Sequence, residues 1–133
     1  MSLFDLTGKI AVITGSTKGI GKAIAERMAQ AGARVVISSR KAERSTEVAA
    51  AINAKFGAGR AVAIPANISS KDDLSRLVDG TLAQFGKIDI LVCNAASTPY
   101  YGPLAGIADD QFRKILENNV IANHWLISFV TTR

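Results

Sequence analysis

Residues 14–21 read TGSTKGIG and follow directly on the apolar run KIAVI. Gly15, Gly19 and Gly21 remove side chains from a short turn, so an anion can approach the backbone closely. Ser16 and Thr17 add hydroxyl donors, and Lys18 adds a positive charge. A turn of this kind between a strand and a helix is suited to phosphate. The free N–H groups of the helix start and the positive end of its dipole both favour an anion.

Two nucleotide signatures differ from this spacing. An ATPase loop is G-x-x-x-x-G-K-[ST]. Here five residues separate Gly15 from Gly21, and Ala23 follows Lys22, so no hydroxyl is offered to magnesium. The common dinucleotide fingerprint is G-x-G-x-x-G, whereas Gly15, Gly19 and Gly21 make G-x-x-x-G-x-G.

The turn needs a scaffold, and the chain supplies alternating periods. KIAVIT (9–14) is a strand-length apolar run. Ile20, Ile24 and Met28 then recur every four residues beside Ala25 and Ala29, and Gly32 closes that helix. ARVVIS (33–38) is the second strand, and Val48, Ile52 and Phe56 stripe a helix ended by Gly57. RAVAIP (60–65) is the third strand. Ser69 and Ser70, with Asp72 and Asp73 three residues on, are capping-box candidates for a helix presenting Leu74, Leu77, Val78, Thr81 and Phe85. KIDILVC (87–93) is the fourth strand, and NAASTPYYGP (94–103) is a loop. A last helix begins near Asp109 or Asp110, with Phe112, Ile115, Leu116, Val120 and Ile127 on one side.

Strands apolar on both faces, separated by single helices, predict parallel pairing with helices on both sides. The expected fold is α/β, a Rossmann-like doubly wound parallel sheet that stops after about four β-α units. Residues 1–133 form one partial domain, since this length suits a single core.

Composition narrows the function. A hydrophobic share of 48% with 20% charged residues predicts a packed interior rather than disorder. The net charge of +5 favours anionic partners, but the basic residues are scattered, which argues against nucleic acid. The single Cys93 excludes an internal disulfide, and no Cys/His cluster offers a metal site. The N-terminus lacks a signal-peptide pattern, and no apolar run reaches the ~18 residues of a membrane span. These features predict a cytoplasmic domain without membrane, metal or nucleic-acid partners.

Three motifs together resemble the short-chain dehydrogenase/reductase family. The first is T-G-x-x-x-G-I-G after the first strand. ILVCNAA (90–96) resembles the family's L-V-x-N-A-G signature, with Ala96 in place of glycine. FRKILENNVIAN (112–123) resembles the helix carrying the family's asparagine, which falls at Asn119. The matches come in the family's order across essentially the whole chain.

The resemblance implies a bound nicotinamide dinucleotide. NAD binders place an acid about twenty residues beyond the glycines; here Ser39 and Arg40 stand there. Arg40 can grip a 2′-phosphate with paired charged hydrogen bonds, and a carboxylate would repel it. With Lys18, this predicts NADP(H). The implied cofactor-binding residues are Gly15, Ser16, Thr17, Lys18, Gly19, Ile20, Gly21, Ser39, Arg40, Asn67, Ile68, Asn94, Ala95 and Ala96. Asn67 and Ile68 would lie by the adenine, and Asn94, Ala95 and Ala96 would line the cofactor floor. SSRK and NAASTPYYG look most like the family's NADPH-dependent carbonyl reductases.

The resemblance further implies hydride transfer to or from a small carbonyl or alcohol substrate, with Asn119 as the one catalytic residue within the chain. The family's serine and Tyr-x-x-x-Lys pair are missing: Tyr100 and Tyr101 have Leu104 and Ala105 four residues on. Both tyrosines are expected at the rim, His124 and Trp125 in packing or surface roles, and Cys93 as an inert buried thiol. Exposed apolar surface on the fourth strand and last helix predicts a homo-oligomer. A catalytically silent NADP(H)-binding module and an association fragment are the alternatives.

Overall fold

The computed structural model describes residues 3–98 and 100–133; Pro99, in the loop after the fourth strand, lies outside them. Four strands form a parallel sheet in the order β3-β2-β1-β4. They are β1 (Ile10–Thr14), β2 (Arg34–Ser38), β3 (Ala61–Ala63) and β4 (Ile90–Val92). Helices α1 (Gly19–Gln30), α2 (Ala42–Phe56) and α3 (Lys71–Phe85) connect them. After β4 come a 3-10 turn (Leu104–Gly106), α4 (Asp109–Leu116), a π-helical segment (Glu117–Ile121) and α5 (Ala122–Thr132).

The sheet is doubly wound, as its sequence pattern requires. Successive strand residues face opposite sides. Ala11, Ile13, Val35 and Ile37 pack with Ala25, Ala29, Val48 and Ile52 from α1 and α2. Val12 and Val36 pack with Leu74, Leu77, Val78, Ala122 and Leu126 from α3 and α5. Each fully buried aliphatic side chain contributes about 1.5–3 kcal/mol, so β1 and β2 anchor the domain.

Local signals act where they were read, with one exchange of partners. Ser70 caps α3 by accepting the Asp73 N–H at 3.2 Å. The Asp73 carboxylate does not complete a capping box; it accepts the Asn67 N–H at 2.9 Å. That bond, with Arg76 beside it, holds Asp73 below the usual carboxylate range. Asn53 ties α2 to β3 through the N–H and C=O of Ala61.

The apolar stripe of α1 lacks one expected member, and that of the last helix forms the exposed face expected of it. Ile20 is 75% exposed and does not join Ile24 and Met28 on the packed side of α1. On the last helix, the face with Phe112, Leu116, Val120 and Ile127 points outward, and the core takes Asn118, Ala122 and Leu126 instead. Small Ala122 suits the close approach to the core, and the π segment inserts an extra residue that rotates the faces. The helix end is fastened to α3 by Arg133, which reaches Asp79 at 3.0 Å and Ser75 Oγ at 2.9 Å.

Candidate functional site

β1 and β2 end level, with Thr14 opposite Ser38. Their following turns therefore meet at the carboxyl edge of the sheet, where the strand order reverses around β1. Open α/β sheets bind ligands in this crevice.

Buried atoms set the shape of the glycine turn. Gly15 adopts φ +63, a region that disfavours side chains. A Cβ on Gly21 would stand 2.2 Å from the Gly15 carbonyl oxygen and 2.4 Å from Asn94 Nδ2. Asn94 Nδ2 donates to the Thr14 and Gly15 carbonyls, both at 3.1 Å. Thr14 Oγ1 accepts the N–H groups of Asn94 and Ala95 at 3.1 and 3.0 Å. Asn94 is thus a brace across the turn as much as part of a floor, with Ala95 against Gly15 and Ala96 exposed beyond it.

Ser16 differs from its expected role. Its side chain is fully buried; the hydroxyl donates to the Ile13 carbonyl at 2.7 Å and accepts the Ser38 N–H at 2.9 Å. It latches the turn onto β2 and offers no donor outward. Thr17, half-buried, makes no side-chain hydrogen bond among the described residues, so the outward hydroxyl of the turn is Thr17 rather than Ser16. Lys18, Gly19 and Ile20 are exposed where α1 begins.

Lys18 and Arg40 are exposed, and no acidic side chain pairs with either among the described residues. Ser39 between the strand end and Arg40 is turned toward α2: its Oγ accepts the Lys41 N–H at 3.2 Å and contacts Ser45 Oγ at 3.2 Å. In the turn after β3, Asn67 Oδ1 accepts the Ser69 N–H at 2.9 Å, so one lone pair of the carbonyl expected to face adenine is already engaged. Ile68 lies half-buried against the second core cluster.

Across β1, the π segment holds Asn119. Its Oδ1 accepts the Ser97 N–H at 3.0 Å, and its Nδ2 donates to the Ser97 and Ile115 carbonyls at 2.7 and 2.9 Å. The same side chain thus fixes the loop after β4 and supplies a donor to the interrupted helix. π-bulges of this kind recur at functional sites. The cofactor-side candidates come together along one sheet edge, with Asn119 on the β4 side.

Thr14, Ser69, Ser97 and Asn118 also belong to this edge, beyond the residues to which the motifs point. The Thr-Gly step and the doubled asparagine in an apolar helix were the available signals. Tyr100 is engaged locally, donating to the Pro103 carbonyl at 2.6 Å, and Tyr101 and His124 are exposed. Lys71 lies 5.6 Å over the Trp125 ring. Cys93 is half-buried rather than fully buried, and burial pushes its thiol pKa up. Among the described residues there is no cluster of metal-ligating side chains and no helix long and apolar enough to cross a membrane.

The glycine turn fits a dinucleotide phosphate on structural grounds: a side-chain-free approach, an exposed helix start and unpaired cations. Comparison with known proteins agrees. Residues 9–133 match the short chain dehydrogenase family. Dehydrogenase/reductase SDR family member 4 of Caenorhabditis elegans is 42% identical over 123 residues, covering 92% of this chain and 47% of that protein. Its Oryctolagus cuniculus counterpart is 44% identical over 118 residues, covering 88% and 44%.

Among solved structures, hydroxysteroid dehydrogenase from Escherichia coli superposes with a TM-score of 0.88 at 38% identity, covering 96% of this chain and 52% of that one. A metagenomic short-chain oxidoreductase in complex with NADP gives 0.86 at 32% identity, covering 95% and 56%. The chain spans about half the length of the relatives it matches. With the glycine turn, the Asn94 brace and Asn119 on one Rossmann-like sheet edge, the chain belongs to the short-chain dehydrogenase/reductase family.

Proposed function

We propose that this chain is the NADP(H)-binding portion of an oxidoreductase that acts on a small carbonyl or alcohol, of the NADPH-dependent carbonyl reductase type. The observation that carries the cofactor choice is the pair of unpaired cations, Lys18 and Arg40, on turns joined through Ser16 and Ser38. An acid at position 40 would favour a bare ribose; a guanidinium favours a phosphorylated one. The NADP in the metagenomic relative is in keeping with this choice.

Gly15, Thr17, Lys18, Gly19, Ile20 and Gly21 would hold the pyrophosphate side, and Ser39 and Arg40 the 2′-phosphate. Asn67 and Ile68 would flank adenine, while Asn94, Ala95 and Ala96 would border the far ribose. The nicotinamide, when bound, supplies a hydride donor or acceptor. Asn119 acts as a positioning group for the loop beside it, in addition to the catalytic role the family resemblance gives it. The serine and Tyr-x-x-x-Lys pair of the family are not among these 133 residues, so the chain alone binds without turnover.

Calorimetric titration with NADPH and NADH tests the reading. NADPH is expected to bind at least about tenfold more tightly, the worth of one charged hydrogen-bond pair. Equal affinities would remove the NADP(H) assignment, and a folded chain that binds neither would remove the cofactor role. Oxidation of NADPH by this chain in the presence of a carbonyl compound would contradict the claim of silence.

Association with a second copy of the chain is proposed through the outward face of α4 and α5. Phe112, Leu116, Val120, Ile121 and Ile127 there are between 39% and 58% exposed, a contiguous apolar stripe of the kind that marks interfaces. A cytoplasmic setting suits the single thiol.

A further inference from the structure

Asn118 is a buried polar side chain, 5% exposed, for which the cofactor reading so far has no use. It sits in the π segment beside Asn119 but binds side chains where Asn119 binds backbone. Its Oδ1 accepts from Ser69 Oγ at 2.7 Å, and its Nδ2 donates to Ser97 Oγ at 2.6 Å. Ser69 belongs to the turn after β3, where its N–H is held by Asn67 Oδ1. Ser97 belongs to the loop after β4, where Asn119 holds its N–H and C=O. β3 and β4 are the two outer strands of the sheet, so no backbone ladder joins these loops directly. Asn118 is the side chain that does.

We propose that Asn118 is a positioning residue: it locks the adenine-side turn at Asn67–Ser69 to the nicotinamide-side loop at Ser97, so that seating one half of the dinucleotide orders the contacts of the other. The proposal rests on the cofactor reading above. The run of bonds from Asp73 through Asn67, Ser69, Asn118 and Ser97 to Asn119 reaches from the turn after β3 to the loop after β4. Removing the link need not harm the fold. Leucine has the same branched skeleton of side-chain heavy atoms as asparagine, and Ser69 is exposed and Ser97 half-buried, so both hydroxyls can turn to water. Replacing a buried polar group by an apolar one of similar shape is often near neutral when its former partners are not stranded. Coupling, by contrast, needs the bridge.

The test compares NADPH with 2′,5′-ADP, which carries the adenine half alone, on the wild-type chain and on Asn118→Leu. The variant is expected to keep its melting temperature and to bind 2′,5′-ADP within about twofold of wild type, yet to lose about five- to tenfold in NADPH affinity, the worth of one or two hydrogen bonds. In the wild type, 2′,5′-ADP should also shift the backbone amide NMR signals of Ser97 and Asn119, and in the variant it should not. An unchanged ratio of the two affinities overturns the proposal, as does an equal loss for both ligands accompanied by lower stability, the mark of a merely structural role. Should Asn118→Leu fail to fold, Ser69→Ala cuts the same bridge at an exposed position and must lower the ratio in the same direction; an unchanged ratio there overturns the proposal equally. A wild-type chain that binds neither ligand is a different result: it removes the cofactor reading itself, and this proposal with it.

Discussion

The two sides of β1 are built differently. On the β2 side, every residue of β1 and all but Arg34 of β2 are buried, and buried Ser16 joins the turn beyond β1 to β2. On the other side, β4 has three residues, all half-buried, and β1 is its ladder partner in the sheet. The helix that follows presents an apolar stripe outward. Beside β2 the bonds of Ser16 are internal and dry, and they fasten the phosphate turn to the core. The Asn119 side is held by half-buried side-chain bridges, from Thr14 and Asn94 and from the helix, and such bridges are easier to perturb without unfolding the domain.

Substitutions should separate the two sides. The largest effect is expected from Gly21→Ala. Its methyl would strike the Gly15 carbonyl and the Asn94 amide, costing about 1–3 kcal/mol. Thermal unfolding checks this, and dinucleotide binding should fail as well. Thr14→Val comes next. It leaves the half-buried Asn94 and Ala95 N–H groups without their acceptor, at about 1 kcal/mol. A loss from Asn119→Ala as large as that from Gly21→Ala would erase the contrast.

Phe112→Asp on the outward stripe should barely change monomer stability, by about 0.5 kcal/mol or less as for other surface sites. It should abolish association seen by sedimentation. Unchanged association would place the contact elsewhere.

The smallest effect concerns acid. Asp89, just before β4, accepts the Ile10 N–H at 2.9 Å and pairs with Lys87 at 3.0 Å, and the first of these bonds chiefly lowers its pKa. A carboxylate held low in the folded state stabilises above its unfolded pKa of about 3.9 and loses that contribution as pH falls through the lower folded value. Asp89→Asn should therefore flatten the stability profile at and below about pH 4 and leave its slope near pH 7 unchanged. Chemical unfolding across that range measures it.

Much of this architecture is legible in the sequence. Strand-length apolar runs alternating with segments of helical period locate β1, β2 and the first three helices, with ends displaced by one to three residues at β3 and β4. Glycine spacing located the phosphate turn. What the pattern hid were directions. Ser16 looks like an outward hydroxyl, but the turn points it inward to join two strands. The last helix is apolar on two faces, and the face that carries a buried Asn118 reads as polar. Its pairing with Ser69 and Ser97 links residues 49 and 21 positions apart, beyond any local period.

The most direct test of the account asks whether Arg40 itself reads the 2′-phosphate. Wild type and Arg40→Ala are each titrated with 2′,5′-ADP and 5′-ADP. The predicted result is a gain of about tenfold or more from the 2′-phosphate in the wild type, shrinking toward none in the variant, while 5′-ADP binds both proteins alike. A gain that survives intact in Arg40→Ala would contradict the assignment of the exposed corner beside the glycine turn to NADP(H).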